Sequence, residues 1–193
     1  MSLLKDIVRG AEQLGFDMRP KPNNSKADKS RWEPAFPDDD EQLFGEDGYA
    51  YYLAYGMNLN QHGMSIRCPA AEPVGGSGVV GTKLVFRGVA DIARTTTMGT
   101  ICPVGIWRIT RECLESLDML ESYPHGYRRE YVPFRKLTNF NHLPGNAIVY
   151  VMNHGRISPP PQSYVRTIAQ GYEDFGLDFK WLDKAVQEAG GVR

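Results

Sequence analysis

The sequence predicts a mixed α+β fold, and three observations carry that expectation. Short runs rich in aromatic and β-branched residues, bounded by Gly, Pro or Asn, recur after residue 48. Helical periodicity appears at 110–121, 162–175 and 178–188. The helical stretches bunch late in the chain and do not alternate regularly with the β-type runs, which sets α+β apart from a wound α/β arrangement.

Taken in order, Leu3, Leu4, Ile7, Val8, Ala11 and Leu14 recur at three- and four-residue steps after Ser2, the pattern of a short capped amphipathic helix. The stretch up to Gly48 is rich in Pro, Asn, Asp and Lys and has no apolar period, so it reads as a polar linker or arm. Its basic part, 21–31, and acidic part, 38–47, suit either a solvated face or a protein partner. Residues 1–48 therefore form one unit and residues 49–193 a single domain, in keeping with 193 residues against roughly 150 per domain. Within that domain five strands are expected, at 49–55, 83–91, 104–110, 129–134 and 146–152. In the second helical stretch Tyr164, Ile168, Tyr172 and Phe175 form one stripe that Gly176 ends. In the third, Asp178 precedes Trp181, Leu182, Ala185 and Val186 as a cap.

Composition excludes several classes of function. With 22 basic and 23 acidic residues the net charge is −1, so no global basic field exists to hold nucleic acid or an anionic membrane. The apolar runs fall far short of the roughly 20 residues that a membrane helix needs, and the charged N-terminal stretch lacks a signal-peptide pattern, so a cytoplasmic protein is expected. Cys68, Cys102 and Cys113 show no C-x-x-C spacing and read as thiols packed as small hydrophobes. The four histidines, His62, His125, His142 and His154, lack metal-ligand spacing, and no metal site is expected. Gly76, Gly78 and Gly81 match the G-x-G-x-x-G dinucleotide pattern, but no strand precedes and no helix follows to receive a pyrophosphate, so they read as a flexible loop.

Two places suggest chemistry. On the helix from Thr110, Cys113, Leu114, Leu117 and Leu120 occupy one arc, and Glu121 falls inside it four residues after Leu117. A carboxylate on an apolar arc must be paired, reach a cavity, or take a raised pKa, and the last two suit a general acid/base. The alternative is a Glu facing solvent where the helix ends ahead of Pro124, with Asp118 at the arc's edge solvated or capping. The other place is the apolar run that stops abruptly at Gly56-Met57-Asn58. There the backbone N–H groups can form an anion or oxyanion cradle, or simply an ordinary strand-ending turn.

Taken together, these motifs resemble the gamma-glutamylcyclotransferase-like family. Its Y-F-A-Y-G-S-N strand and loop is matched by Tyr52, Leu53, Ala54, Tyr55, Gly56, Met57 and Asn58. Its L-D-x-x-E helix end is matched by Leu117, Asp118 and Glu121, with the Tyr127 strand following. Its Pro-rich turn into a Tyr-bearing helix is matched by SPPPQSYVRTIAQGYEDFGL, which carries Tyr164. The resemblance spans about residues 49–188. It implies a small mixed β-barrel of about five to seven strands with flanking helices and a cavity at its mouth. It also implies an enzyme, independent of metal and cofactor, that releases 5-oxoproline from a small γ-glutamyl amine, amide or peptide. Glu121 would be the catalytic residue, Tyr52 to Asn58 the substrate-cradling loop, and Tyr127 and Tyr164 the pocket tyrosines. Two departures stand out: Met57 replaces the family's loop serine, and Ser122 stands where many members have Gly. A competing expectation is a non-catalytic interaction module that works through residues 1–48.

Overall fold

The computed structural model describes residues 43–142 and 145–193. Of the helix and polar arm expected over residues 1–48, residues 1–42 lie outside the described residues. Over the remainder the mixed α+β class holds. A five-stranded sheet in the order β2-β5-β1-β7-β6 is accompanied by the hairpin β3-β4. The strands are β1 (Ala50–Ala54), β2 (Glu72–Val80), β3 (Thr82–Phe86), β4 (Ala90–Arg94), β5 (Ile101–Ile109), β6 (Tyr127–Pro133) and β7 (Asn146–Met152). The helices are α1 (Gln61–Arg67), α2 (Arg111–Leu120), α3 (Gln162–Asp174) and α4 (Lys180–Glu188). Among the described residues no helix is long and apolar enough to cross a membrane.

Strand β1 lies in the middle of the sheet because its sequence, AYYLA, can be buried on both faces. It runs antiparallel to β5, with Ala50 opposite Ile109 and Ala54 opposite Gly105, and parallel to β7 at Tyr52 and Ile148. The core forms around it from Leu53, Val104, Ile106, Ile148, Val149, Leu117 and Tyr172. Beyond β6 the chain curls back to the opposite edge of the sheet. Leu137 bridges Val79, and the N–H of Thr138 donates to Gly78 O at 3.0 Å. A second bridge joins Arg87, next to β3, to Ser158. Among the described residues the seven strands lie in two sheets, one of five strands and one of two.

Three expectations need correction. The glycine-rich segment is not a flexible loop but strand β2, paired antiparallel with β5. Its glycines are needed for close approach. Gly76 lies opposite Gly105, and a Cβ on either would stand 2.3 Å from Phe175 O or 2.7 Å from the Phe175 ring. The end of α3 therefore rests on bare backbone, with Phe175 edge-on to Trp107 at 5.3 Å. The single strand expected at 83–91 is a hairpin, because Gly88 at φ 82° turns the chain between Phe86 and Ala90. The third correction is α1, which no periodicity announces. It has only seven residues and contains Gly63, and it is held from outside its own sequence. Asn60 Oδ1 accepts the Gly63 N–H at 2.7 Å, and Asp174 Oδ2 of α3 accepts the Gln61 N–H at 2.8 Å.

The other helices stand close to their expected ranges. Thr110 caps α2 and Cys113, Leu114 and Leu117 are buried along it. In α3, Ile168, Gly171 and Tyr172 are buried, and Gly176 follows the helix with φ 62°. Asp178 Oδ1 accepts the Lys180 N–H at 3.0 Å at the start of α4, although Phe179 occupies the cap position itself. All three cysteines are buried free thiols.

Candidate active site

The site is assembled where β1 ends. After Tyr55 the chain passes Gly56 and winds into one 3₁₀ turn, Met57–Leu59. The turn uses the N–H groups of Leu59 and Asn60, bonded to Gly56 O and Met57 O. The N–H groups of Met57 and Asn58 have no partner within it, which is what an anion cradle requires. Helix α3 fixes the turn from behind. Gly171 lets the two backbones touch, since a Cβ there would stand 2.3 Å from Leu59 Cβ and 2.8 Å from Asn60 N.

Asn58 is buried and central. Its Nδ2 donates to the Tyr52 hydroxyl at 3.0 Å and to Glu121 Oε1 at 3.3 Å, while its Oδ1 accepts from Arg67 Nη1 at 3.3 Å. Loop, strand, α1 and the end of α2 therefore meet in one side chain.

Glu121 is the C-cap of α2 and is half-buried. Its backbone is tightly held: its N–H donates to Leu117 O at 2.8 Å, and its carbonyl accepts from Tyr127 N–H at 3.2 Å. Gly126 makes room for that carbonyl, because a Cβ there would lie 2.8 Å away. Ser122, next in the chain, has φ 51°, in the left-handed region where Gly costs least. Burial of the carboxyl raises the Glu121 pKa to about 7, against the opposing pull of the Arg67 charge and of the Asn58 hydrogen bond. Of the two orientations left open by the spacing, the structure shows the one aimed inward.

The expectation that Asp118 is solvated or capping is corrected. Arg129 grips it through Nε, 2.8 Å from Oδ1, and through Nη2, and the Tyr150 hydroxyl donates to Oδ1 at 2.7 Å. Asp118 thus fastens α2, and with it Glu121, to β6 and β7.

The remaining expected residues divide into two groups. Tyr127 and Tyr164 converge on Ala90: the Tyr127 hydroxyl donates to Ala90 O at 3.3 Å, and the Tyr164 hydroxyl accepts the Ala90 N–H at 3.1 Å. Gly56 borders the same spot, since a Cβ on it would lie 3.3 Å from the Tyr164 hydroxyl and from Ala90 Cβ. Burial, reinforced by the negative charge of Glu121, raises the pKa of Tyr52, Tyr127 and Tyr164 and keeps them protonated. Leu53 and Ala54, by contrast, are core residues with no exposed surface, and the Tyr55 hydroxyl is taken up by Tyr150 O at 2.7 Å. Met57 is half-buried at the start of the 3₁₀ turn. Arg67 and Ala90 were not expected here. The sequence signal for Arg67 is Asn60, a good N-cap residue that announces α1; Ala90 contributes backbone atoms and leaves no such signal. Among the described residues no cluster of three or more His, Cys, Asp or Glu could hold a metal ion.

The family model described as gamma-glutamyl cyclotransferase, AIG2-like, matches residues 52–172, a span that contains every expected site residue. Among solved structures, an uncharacterized protein from Homo sapiens superposes with a TM-score of 0.62 at 22% identity, covering 72% of this chain and 86% of that one. A gamma-glutamyl cyclotransferase superposes with a TM-score of 0.60 at 22% identity, covering 70% and 85%. YkqA from Bacillus subtilis gives 0.59 at 21% identity, covering 75% of this chain and 55% of that one. At these identities the likeness speaks for the fold. No curated protein sequence matches the chain significantly.

Proposed function

The chain belongs to the gamma-glutamyl cyclotransferase, AIG2-like family, and from that premise we propose that it releases 5-oxoproline from a small γ-glutamyl amine, amide or peptide, with Glu121 as general acid/base. The observation that carries the reading is the Glu121 carboxyl, raised to about 7 and held 3.3 Å from Asn58 beside the Met57–Leu59 turn.

The chemistry balances without metal or organic cofactor. The substrate's α-amino nitrogen attacks its own γ-carbonyl, a C–N bond closes the five-membered ring, and the C–N bond to the leaving amine breaks. Two protons lost by the ammonium are the two gained by the departing nitrogen as it becomes an ammonium ion. Because nucleophile and electrophile belong to one molecule, holding the near-attack conformer supplies much of the acceleration. Glu121 is ionised in part near neutral pH, so it can take a proton from the ammonium and return it to the leaving nitrogen. The N–H groups of Met57 and Asn58 suit the α-carboxylate or the developing oxyanion. The half-buried tyrosines Tyr127 and Tyr164 stay neutral and present no competing charge to the substrate.

The competing reading of an interaction module is not favoured at this site, where a carboxyl raised by burial stands beside the Met57–Leu59 turn. The test is 5-oxoproline release from a panel of γ-glutamyl amines and dipeptides. Turnover of at least one member, abolished by Glu121→Gln, is the expected result; a protein inert toward the whole panel overturns the assignment.

A further inference from the structure

Resting on the cyclotransferase reading of this site, the geometry points to Arg67 as a positioning residue that orients Asn58 and supplies the positive charge under which Glu121 works. The Arg67 guanidinium donates from Nη1 to Asn58 Oδ1 at 3.3 Å, and its Nε–H is buried without an acceptor. Among the described residues no carboxylate is ion-paired with it. A guanidinium has donors only, so Asn58 must turn its oxygen toward Arg67. Its NH₂ group then points to Tyr52 and to Glu121 Oε1. Without Arg67 the amide is free to reverse and to set an oxygen against the carboxylate.

The charge acts in the same direction as the orientation. Arg67 opposes the effect of burial on Glu121, and it acts likewise on Tyr52 and Tyr164. The groups facing Glu121 from the other elements carry no charge in the working range. Tyr52 from β1, Tyr55 just after it, Tyr127 from β6 and Tyr164 from α3 are all raised by burial. Asp91 of β4 acts on three of these tyrosines but is paired with Arg87 at 2.8 Å. Arg67 is thus the cation of the cluster, delivered by a helix too short to stand without Asn60 and Asp174.

The experiment compares wild type, Arg67→Gln and Arg67→Lys by kcat/KM against pH on the best panel substrate, and by carbon-detected NMR titration of the Glu121 carboxyl. In Arg67→Gln the acid limb and the NMR midpoint should both move up by about one pH unit, lowering kcat/KM about tenfold below neutrality and less on the alkaline side. Arg67→Lys, which keeps the charge, should retain most of the wild-type limb. If Arg67→Gln instead raises KM equally at every pH with limb and midpoint unmoved, Arg67 contacts the substrate's carboxylate and the proposal is overturned. A change in melting temperature alone also overturns it, by reducing Arg67 to a structural role. Should wild type turn over no panel substrate, the functional reading fails while the NMR midpoint still decides the role of Arg67.

Discussion

Replacement of Glu121, the proposed general acid/base, gives the most direct residue-scale prediction. Glu121→Gln preserves an acceptor for Asn58 Nδ2 and removes the proton carrier, so turnover should fall at least about 100-fold, the low end of what a positioned acid/base contributes. 5-Oxoproline release at the wild-type rate by a normally folded variant would refute the assignment. Met57 gives a prediction about specificity. A thioether beside a carboxylate cradle offers apolar surface where the family's serine offers a hydroxyl. Met57→Ser should therefore improve kcat/KM on simple γ-glutamyl dipeptides and lower it on the native substrate. Parallel changes on every substrate would show that Met57 only packs the turn. At this scale the sequence was informative where a residue's type and its helical phase agree, as for Glu121. It signalled Arg67 only through the N-cap Asn60, because the part of Arg67 depends on α1 being propped by α3, and it misplaced Asp118, because Arg129 comes from a strand eleven residues later.

Helix α3 and the turn after β1 act as one element, joined at Gly171. Replacing Gly171 by Ala gains helix propensity of about 1 kcal/mol. The new methyl, however, would meet the Leu59 and Asn60 backbone at 2.6 and 2.8 Å, and relieving such overpacking costs about 1–3 kcal/mol. The clash should win, lowering the melting temperature and displacing the cradle, so that kcat/KM falls by more than stability alone explains. Gln170→Ala, on the exposed neighbouring position, is the control and should stay within about 0.5 kcal/mol of wild type. A Gly171→Ala protein as stable and active as wild type would mean the helix and turn can slide apart freely. The elements themselves were legible to differing degrees. Strands rich in aromatic or β-branched residues, such as β1 and β7, and helices with an unbroken apolar stripe stand close to their expected ranges. Strand β2 was hidden because Gly at 75, 76 and 78 carries no β-propensity, and its pairing with β5 and the seat it makes for Phe175 are long-range facts.

For the whole molecule, the raised carboxyl links stability to pH. The folded chain holds the Glu121 proton up to about pH 7, whereas the unfolded chain releases it near the ordinary value of 4.5. Between those values the folded state binds more protons, so this group's contribution to stability falls as pH rises and levels off above about 7. Glu121→Gln carries no such burden. Its stability should therefore gain on wild type between pH 5 and pH 8, by an amount on the order of 2 kcal/mol at the alkaline end, read as a widening gap in melting temperature. A gap that stays constant with pH would show that the carboxyl titrates normally. The fold class was legible at this scale, and the strand count fell within the expected range. The bridges that bring the sheet edges together at Val79 and Leu137 were not, since single pairings between distant segments leave no local pattern.

The three cysteines have a practical consequence. Cys68, Cys102 and Cys113 are each at most 3% exposed, and burial pushes the Cys68 thiol up to about 12 and that of Cys102 well above its ordinary value. In the folded chain an alkylating reagent finds no path to any of the three. Labelling must wait for the protein to open, and the three positions wait on different events. Cys68 and Cys113 lie at the junction of α1 and α2, while Cys102 is sealed within β5. Mass spectrometry of a timed alkylation would thus read, without any added probe, whether the corner between α1 and α2 breathes on its own or opens only when the sheet comes apart.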